Sequence, residues 1–112
     1  MNIEQIFDHL PSALTISDLS GNIIYMNEKS QQTFAKWGGN SLIGKNLFDC
    51  HKDKSKQKMK EMLQNGEGNI YTIEKEGVKK LIYQMPWKQN DTTMGLIELS
   101  IVLPDNMKHL TR

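Results

Sequence analysis

Leu14-Thr15-Ile16-Ser17-Asp18-Leu19-Ser20-Gly21-Asn22-Ile23-Ile24-Tyr25-Met26-Asn27 is the stretch on which the fold turns. Leu14 to Ser17 alternates apolar and polar, the period of a half-buried strand. Asp18-Leu19-Ser20-Gly21-Asn22 breaks that period. An Asp side chain accepts hydrogen bonds from its own downstream backbone, and glycine takes positive φ without steric cost. Ile23 to Met26 resumes as β, so the segment reads as a hairpin. Asn27 stands where a helix N-cap belongs, because its side-chain oxygen can satisfy a backbone N–H left open by the first turn.

Upstream, Ile3, Ile6, Phe7 and Leu10 recur at helical spacing, one stripe of a short helix that Pro11 stops. Downstream, the spacing predicts a helix from the Asn27 cap through Phe34 and Trp37 to the Gly38-Gly39 pair. Residues 41–51 read as short helical turns around Gly44, anchored by Leu42, Ile43, Leu47 and Phe48. A firmer helix follows from about 53 or 55 to 65, stopped by Gly66. It carries Met59, Met62 and Leu63 on one face and Lys54, Lys56, Lys58 and Lys60 on the others. Three strands are predicted over 69–75, 78–88 and 93–103, with turns at Glu76-Gly77 and Asn90-Asp91. In the second of these, Leu81, Tyr83, Met85 and Trp87 are all large and apolar, so they are expected to face inward. The last strand is apolar on both faces, which predicts cover on both.

Composition narrows the classes. The chain has 112 residues, 38% hydrophobic and 24% charged, enough for one small folded domain. A net charge of +1 supplies no field for nucleic acid, and one cysteine excludes a disulfide framework. No apolar run approaches the roughly 20 residues that cross a bilayer. MNIEQIFDHL lacks the basic and apolar regions of a signal peptide. The expectation is a cytoplasmic single domain: a helix over 1–11, a core over 12–103 and a tail over 104–112.

The order of helix, two strands, helices and three strands resembles the PAS fold. Asp18-x-x-Gly21-x-Ile23-x-Tyr25-x-Asn27 is similar to the PAS hairpin, second strand and helix cap. Leu42-Ile43-Gly44-Lys45 resembles the segment before the family's long F helix, and Met94-Gly95-Leu96-Ile97-Glu98 its final strand. Cys50-His51 resembles a bacterial PAS subgroup with Cys-His-Pro-Pro before that helix, although Lys52-Asp53 replace the prolines here. The final strand's usual Asp-Ile-Thr ending is also missing, with Leu103-Pro104-Asp105 in its area. The resemblance implies an α+β fold: a five-stranded antiparallel sheet with helices inserted between strands 2 and 3, plus the amphipathic N-terminal helix. It implies sensing or dimerisation, with a small ligand often held between sheet and helices.

The site expectations follow from a curved sheet under helices, which leaves a cleft. Met26, Ser30 and Phe34 from the first inserted helix region, and Leu47, Met59 and Leu63 from the next, are candidates to line it. From the sheet come Tyr71, Tyr83, Met85, Trp87, Glu98 and Ser100. Seven methionines suit an adaptable interior, and ordinary core is the reading they favour over a pocket. Glu98 is sharper, since a carboxylate in an apolar strand either faces solvent or needs a buried partner. A ligand's donor, Ser30, Tyr71 or Tyr83 would serve.

Cys50 is a redox candidate beside a helix start and lysines, against the blander reading of a half-buried thiol, which is favoured. Metal is not expected, because His9 and His109 are far from Cys50-His51 in sequence. The resemblance implies no haem, whose usual histidine position falls near Lys56, and no photoactive flavin, whose Asn-Cys-Arg-type motif is absent. The cofactor is therefore unassigned. The lysine-rich helix reads as a solvated face rather than a phosphate or lipid surface.

Ile3, Ile6, Phe7 and Leu10, with Ile97, Leu99 and Ile101, form the expected dimer or partner surface. Phosphate-loop, zinc-protease and nucleophile-elbow motifs are absent, so no enzyme is expected. The expected function is a sensory signal-transduction module with a small-molecule ligand, a second copy and a downstream signalling protein as partners, and neither nucleic acid nor membrane. The alternative is a ligand-free interaction or dimerisation module.

Overall fold

Ala13–Asp18 (β1) and Ile23–Met26 (β2) form the antiparallel hairpin, in a computed structural model that describes residues 1–50 and 52–112, Cys50 by its backbone alone. The turn works as its residue types require. Asp18 Oδ1 accepts from the N–H of Ser20 (3.0 Å) and of Asn22 (2.9 Å), and Gly21 sits at φ +88°. A Cβ on Gly21 would lie 2.7 Å from the Phe48 ring, so this glycine answers to packing as well as to conformation.

Asn27 caps Glu28–Thr33 (α2) by accepting from the Ser30 N–H at 2.9 Å. The sequence predicts one helix through Trp37, and here the structure differs. The helix leaves α geometry at Phe34 and continues as two 3₁₀ turns, Ala35–Trp37 and Gly39–Leu42. Gly38 and Gly39 both take positive φ between them, so the doubled glycine redirects the chain instead of capping a long helix. Ile43, expected as an anchor, is exposed. Leu47–Cys50 (α3) and Asp53–Asn65 (α4) follow, and α4 ends where Gly66, in the left-handed region, donates its N–H to Met62 O.

Asn69–Lys75 (β3), Val78–Gln89 (β4) and Thr92–Val102 (β5) complete the sheet. Their connections are two-residue turns with positive φ at both positions, Glu76-Gly77 and Asn90-Asp91. The strand order is β2-β1-β5-β4-β3, antiparallel throughout, which places the first and last strands side by side at the centre. The helices inserted between β2 and β3 cover one face. Met59 and Met62 of α4 meet Leu96 there, with Leu47, Phe48 and Leu63 packed around them.

Register sorts the side chains. Met26, Thr15, Glu98, Gln84 and Asn69 stand in one row across five strands. On the other face Leu14, Leu99, Tyr83 and Ile70 stand in the next row, and Tyr25, Ile16, Ile97 and Met85 in another.

Ile3–Asp8 (α1) begins with a reciprocal Asn2–Gln5 capping box. Most of its apolar stripe is uncovered: Ile3, Ile6 and Phe7 are exposed, while Leu10, just past the helix, is half-buried. Polar anchors hold it instead. Tyr25 donates its phenol to Asp8 Oδ1 at 2.6 Å, and Asn27 Nδ2 donates to Phe7 O at 3.1 Å. Burial, and then the Asp8 carboxylate it bonds, push the Tyr25 phenol well above its ordinary pKa.

Candidate functional site

A cavity of about 800 Å³ lies between the helices and the inner face of the sheet. Local sequence explains its walls. The hairpin presents Thr15, Ser17, Ile23 and Met26, and the redirected chain after α2 brings Phe34, Trp37 and Leu42. Leu47 is fixed by a clamp that sequence reasoning missed. Asn46 Nδ2 donates to Ser20 O and to Asn22 Oδ1, its Oδ1 accepts from the Phe48 N–H, and the Leu47 N–H donates to Gly21 O. The conformation of the hairpin turn thereby sets the position of α3. Two further backbone bonds, Ile23 N–H to Lys45 O and Gly44 N–H to Ile23 O, tie the Gly44-Lys45 segment to β2.

From α4 the cavity takes Ser55, Lys58, Met59 and Met62, and from the sheet Tyr71, Ile82, Gln84, Leu96, Glu98 and Ser100. Its floor carries a polar line. Asn69 Nδ2 donates to Gln84 Oε1 (3.1 Å), and Gln84 Nε2 donates to Glu98 Oε2 (2.8 Å). Glu98 therefore faces the cavity, and its partner is Gln84 rather than Ser30, Tyr71 or Tyr83. Sequence reasoning passed over Gln84 because it placed the other alternation of β4 inside. Burial, and then the Glu98 charge, raise the Tyr71 pKa above its ordinary value.

Met26, Phe34, Leu47, Met59, Tyr71, Glu98 and Ser100 come together around the cavity. Ser30 stands behind the wall, fully buried and paired with the Thr15 hydroxyl. Leu63 packs against the core cluster instead of the cavity. Tyr83, Met85 and Trp87 are a correction, because with Leu81 they project from the opposite face of the sheet. The inner positions of β4 are Lys80, Ile82, Gln84 and Pro86, of which Ile82 and Pro86 are buried. The large apolar set is outside because that face is itself half-buried, whereas the inner face meets a cavity and carries polar groups.

Trp87 has another task. Its Nε1 donates to Ser17 O at 3.1 Å, reaching across Gly95, where any Cβ would collide with both atoms. The Cys50-His51 pair lies outside what the structure describes, His51 wholly and Cys50 in its side chain.

Asn27 ties these parts together. Fully buried, it accepts from the N–H groups of Leu14 and Ser30 and donates to Phe7 O and Ser12 O. All four of its amide hydrogen-bonding positions are used.

Comparison with known proteins settles the family. The model of the PAS fold matches residues 7–100, most of the chain. The chain belongs to the PAS family. Among solved structures, this PAS domain is similar to a C-terminal domain from Streptococcus mutans, at 21% identity and a TM-score of 0.73, covering 88% of this chain and 81% of that one. It is similar to a sensory box sensor histidine kinase from Vibrio cholerae, at 18% identity and a TM-score of 0.64, covering 91% and 90%. The Aer2 receptor from Vibrio cholerae, described as a dual PAS-heme oxygen sensor, matches at 17% identity and a TM-score of 0.63, covering 83% and 95%. No curated protein matches the chain. Among the described residues, no helix is long and apolar enough to cross a membrane.

Proposed function

We propose that this PAS domain is a sensory module that binds a small organic molecule between sheet and helices. The bound state is relayed through the sheet to its outer face and α1, where a second copy or a downstream signalling protein docks. The observation that carries this reading is the cavity of about 800 Å³, a size that suits a small ligand, with a carboxylate on its floor. The PAS family, made of sensory and signal-relay domains, supports the same reading. The relay has a physical route: Ser17 turns its side chain to the cavity while its carbonyl is held by Trp87 of the outer face. Ligand contact at Ser17 biases that bond, and the outer packing shifts as a population of two arrangements.

The second reading is a ligand-free interaction module. It is favoured by the outer face, where Ile16, Ile97, Leu99, Ile101 and Tyr83 are only half-buried, and by the exposed stripe of α1. Native and denaturing mass spectra of freshly purified protein separate the two. A fixed mass increment present only in the native spectrum supports the sensor, and a bare mass in monomer and dimer supports the interaction module.

A further inference from the structure

Ser17 departs from the rule its neighbours obey. Asn27 and Ser30 are as deeply buried and are bonded. Ser17 is 1% exposed and lines the cavity, yet its Oγ has no hydrogen-bond partner among the described residues. An unpaired buried hydroxyl is costly unless something fills its valence. Glu98, which is only half-buried, has capacity to spare: its Oε2 accepts from Gln84, and no other hydrogen bond to its carboxylate is seen among the described residues. Ser17 pairs with Leu96, two residues from Glu98 on the same face, so the open groups are diagonal neighbours roughly 7–8 Å apart at Cα.

Charge then decides what kind of donor Glu98 can meet. Among the described residues, three lysines, Lys58, Lys75 and Lys80, line the cavity, and Glu98 is the one carboxylate. Their place follows from the fold. The C-terminal end of α4 lies beside Lys88, since Lys88 Nζ approaches Gly66. Ser55 and Lys58, from the N-terminal part of α4, line the same cavity as Lys80 of β4. Ser17, Leu96 and Met62 line it too and are buried. A cationic ligand would gain one attraction and meet excess positive charge, whereas a carboxylate at the mouth reverses that balance.

We propose that the cavity takes an organic anion with an apolar body: its carboxylate sits among Lys58, Lys75 and Lys80, a neutral N–H or O–H donates to Glu98 Oε1, and a second polar group meets Ser17 Oγ. This rests on the sensor reading above and adds the ligand's class. The donor to Glu98 is neutral, so the class excludes amines.

A matched set of probes tests it by calorimetric titration of the intact chain. 5-Hydroxyindole-3-acetate offers all three features. 1-Methyl-5-hydroxyindole-3-acetate lacks the N–H, indole-3-acetate lacks the hydroxyl, and 5-hydroxytryptamine replaces the carboxylate with an ammonium. The full probe is expected to bind, and loss of the N–H or exchange of the carboxylate to weaken binding about tenfold or more. Glu98→Gln, checked for folding by circular dichroism, should erase the preference for N–H over N-methyl. Ser17→Ala should erase the preference for the hydroxyl. Lys80→Ala should weaken the acids and leave the amine unchanged or tighter.

An amine that binds as tightly as the acid, or an N-methyl probe equal to its parent, overturns the proposal. So does silence from all four probes up to about 1 mM. In that last case the native mass spectrum shows which idea has failed. A retained ligand of another class leaves the sensor standing and removes only the anion, whereas a bare protein removes both.

Discussion

Along β5, Leu96, Glu98 and Ser100 look toward the helices while Ile97, Leu99 and Ile101 look away, and the inward set is the more polar. The same inversion holds on β4, where Lys80 and Gln84 are inside and Leu81, Tyr83 and Met85 outside. A face packed wholly against protein would exclude unpaired polar groups. A face that borders a cavity holds them in a line, as Asn69, Gln84 and Glu98 do. The outer face shows the reverse: it is apolar and, apart from the buried Leu14, half-exposed. On the proposed reading, polarity marks the ligand face and apolarity the docking face.

The comparison can be tested through stability first. Met62 is 1% exposed beneath the helices, so Met62→Ala should cost about 3 kcal/mol in urea denaturation. Leu99→Ala, from the half-exposed face, should cost about 1 kcal/mol in the monomer. Equal losses would mean that the outer face is as well packed as the inner one.

Gly95→Ala should cost about 2 kcal/mol, because its Cβ collides with Ser17 O and Trp87 Nε1 where the two faces are joined. An unchanged Trp87 fluorescence spectrum in that variant would break the link. Tyr25→Phe should cost about 1 kcal/mol, since the bond to Asp8 is partly solvated. This contribution has a definite pH sign. The folded phenol holds its proton more tightly than the unfolded one, whose pKa is 10.0. The unfolded state therefore loses its proton first, and wild-type stability should fall as pH rises above that value. The phenylalanine variant should lack this fall, and parallel profiles would show that the bond does not anchor α1.

The functional division is read in signals other than stability. Ile101→Asp, at a half-buried position, should cost about 1–2 kcal/mol in the monomer and shift light-scattering mass toward the monomer. Glu98→Gln should change stability by less still and abolish the ligand increment in native mass spectra. A variant on either face that alters both readouts would show that cavity and docking surface are one unit.

Much of this was legible in the chain. Asp18, Gly21 and Asn27 each act locally, so the hairpin and the cap could be read from residue type. The two later turns were legible for the same reason. Facing was not. Both alternations of β4 contain apolar residues, and the stripe of Leu81, Tyr83, Met85 and Trp87 outweighs Ile82 and Pro86 in any local count. Only the register with β5 decides which set meets the helices. Asn46 and Gln84 were missed because their partners are distant in sequence, at Ser20 and Asn22 for one and at Asn69 and Glu98 for the other. The break after Phe34 arises where the chain must turn, and the sequence signal for it, Gly38-Gly39, reads equally well as an ordinary helix stop.

The strand order has a consequence in time. β5 fills the gap between β1 and β4, and its partner β1 is made roughly 80 residues earlier, as in Ser17↔Leu96. During synthesis the β1–β2 hairpin and the helices wait with one edge of β1 unpaired until residues near Ser100 emerge. Contacts of such long sequence separation slow folding. Glu98 is delivered by that same closing strand, so the cavity acquires its carboxylate only in the step that completes the sheet.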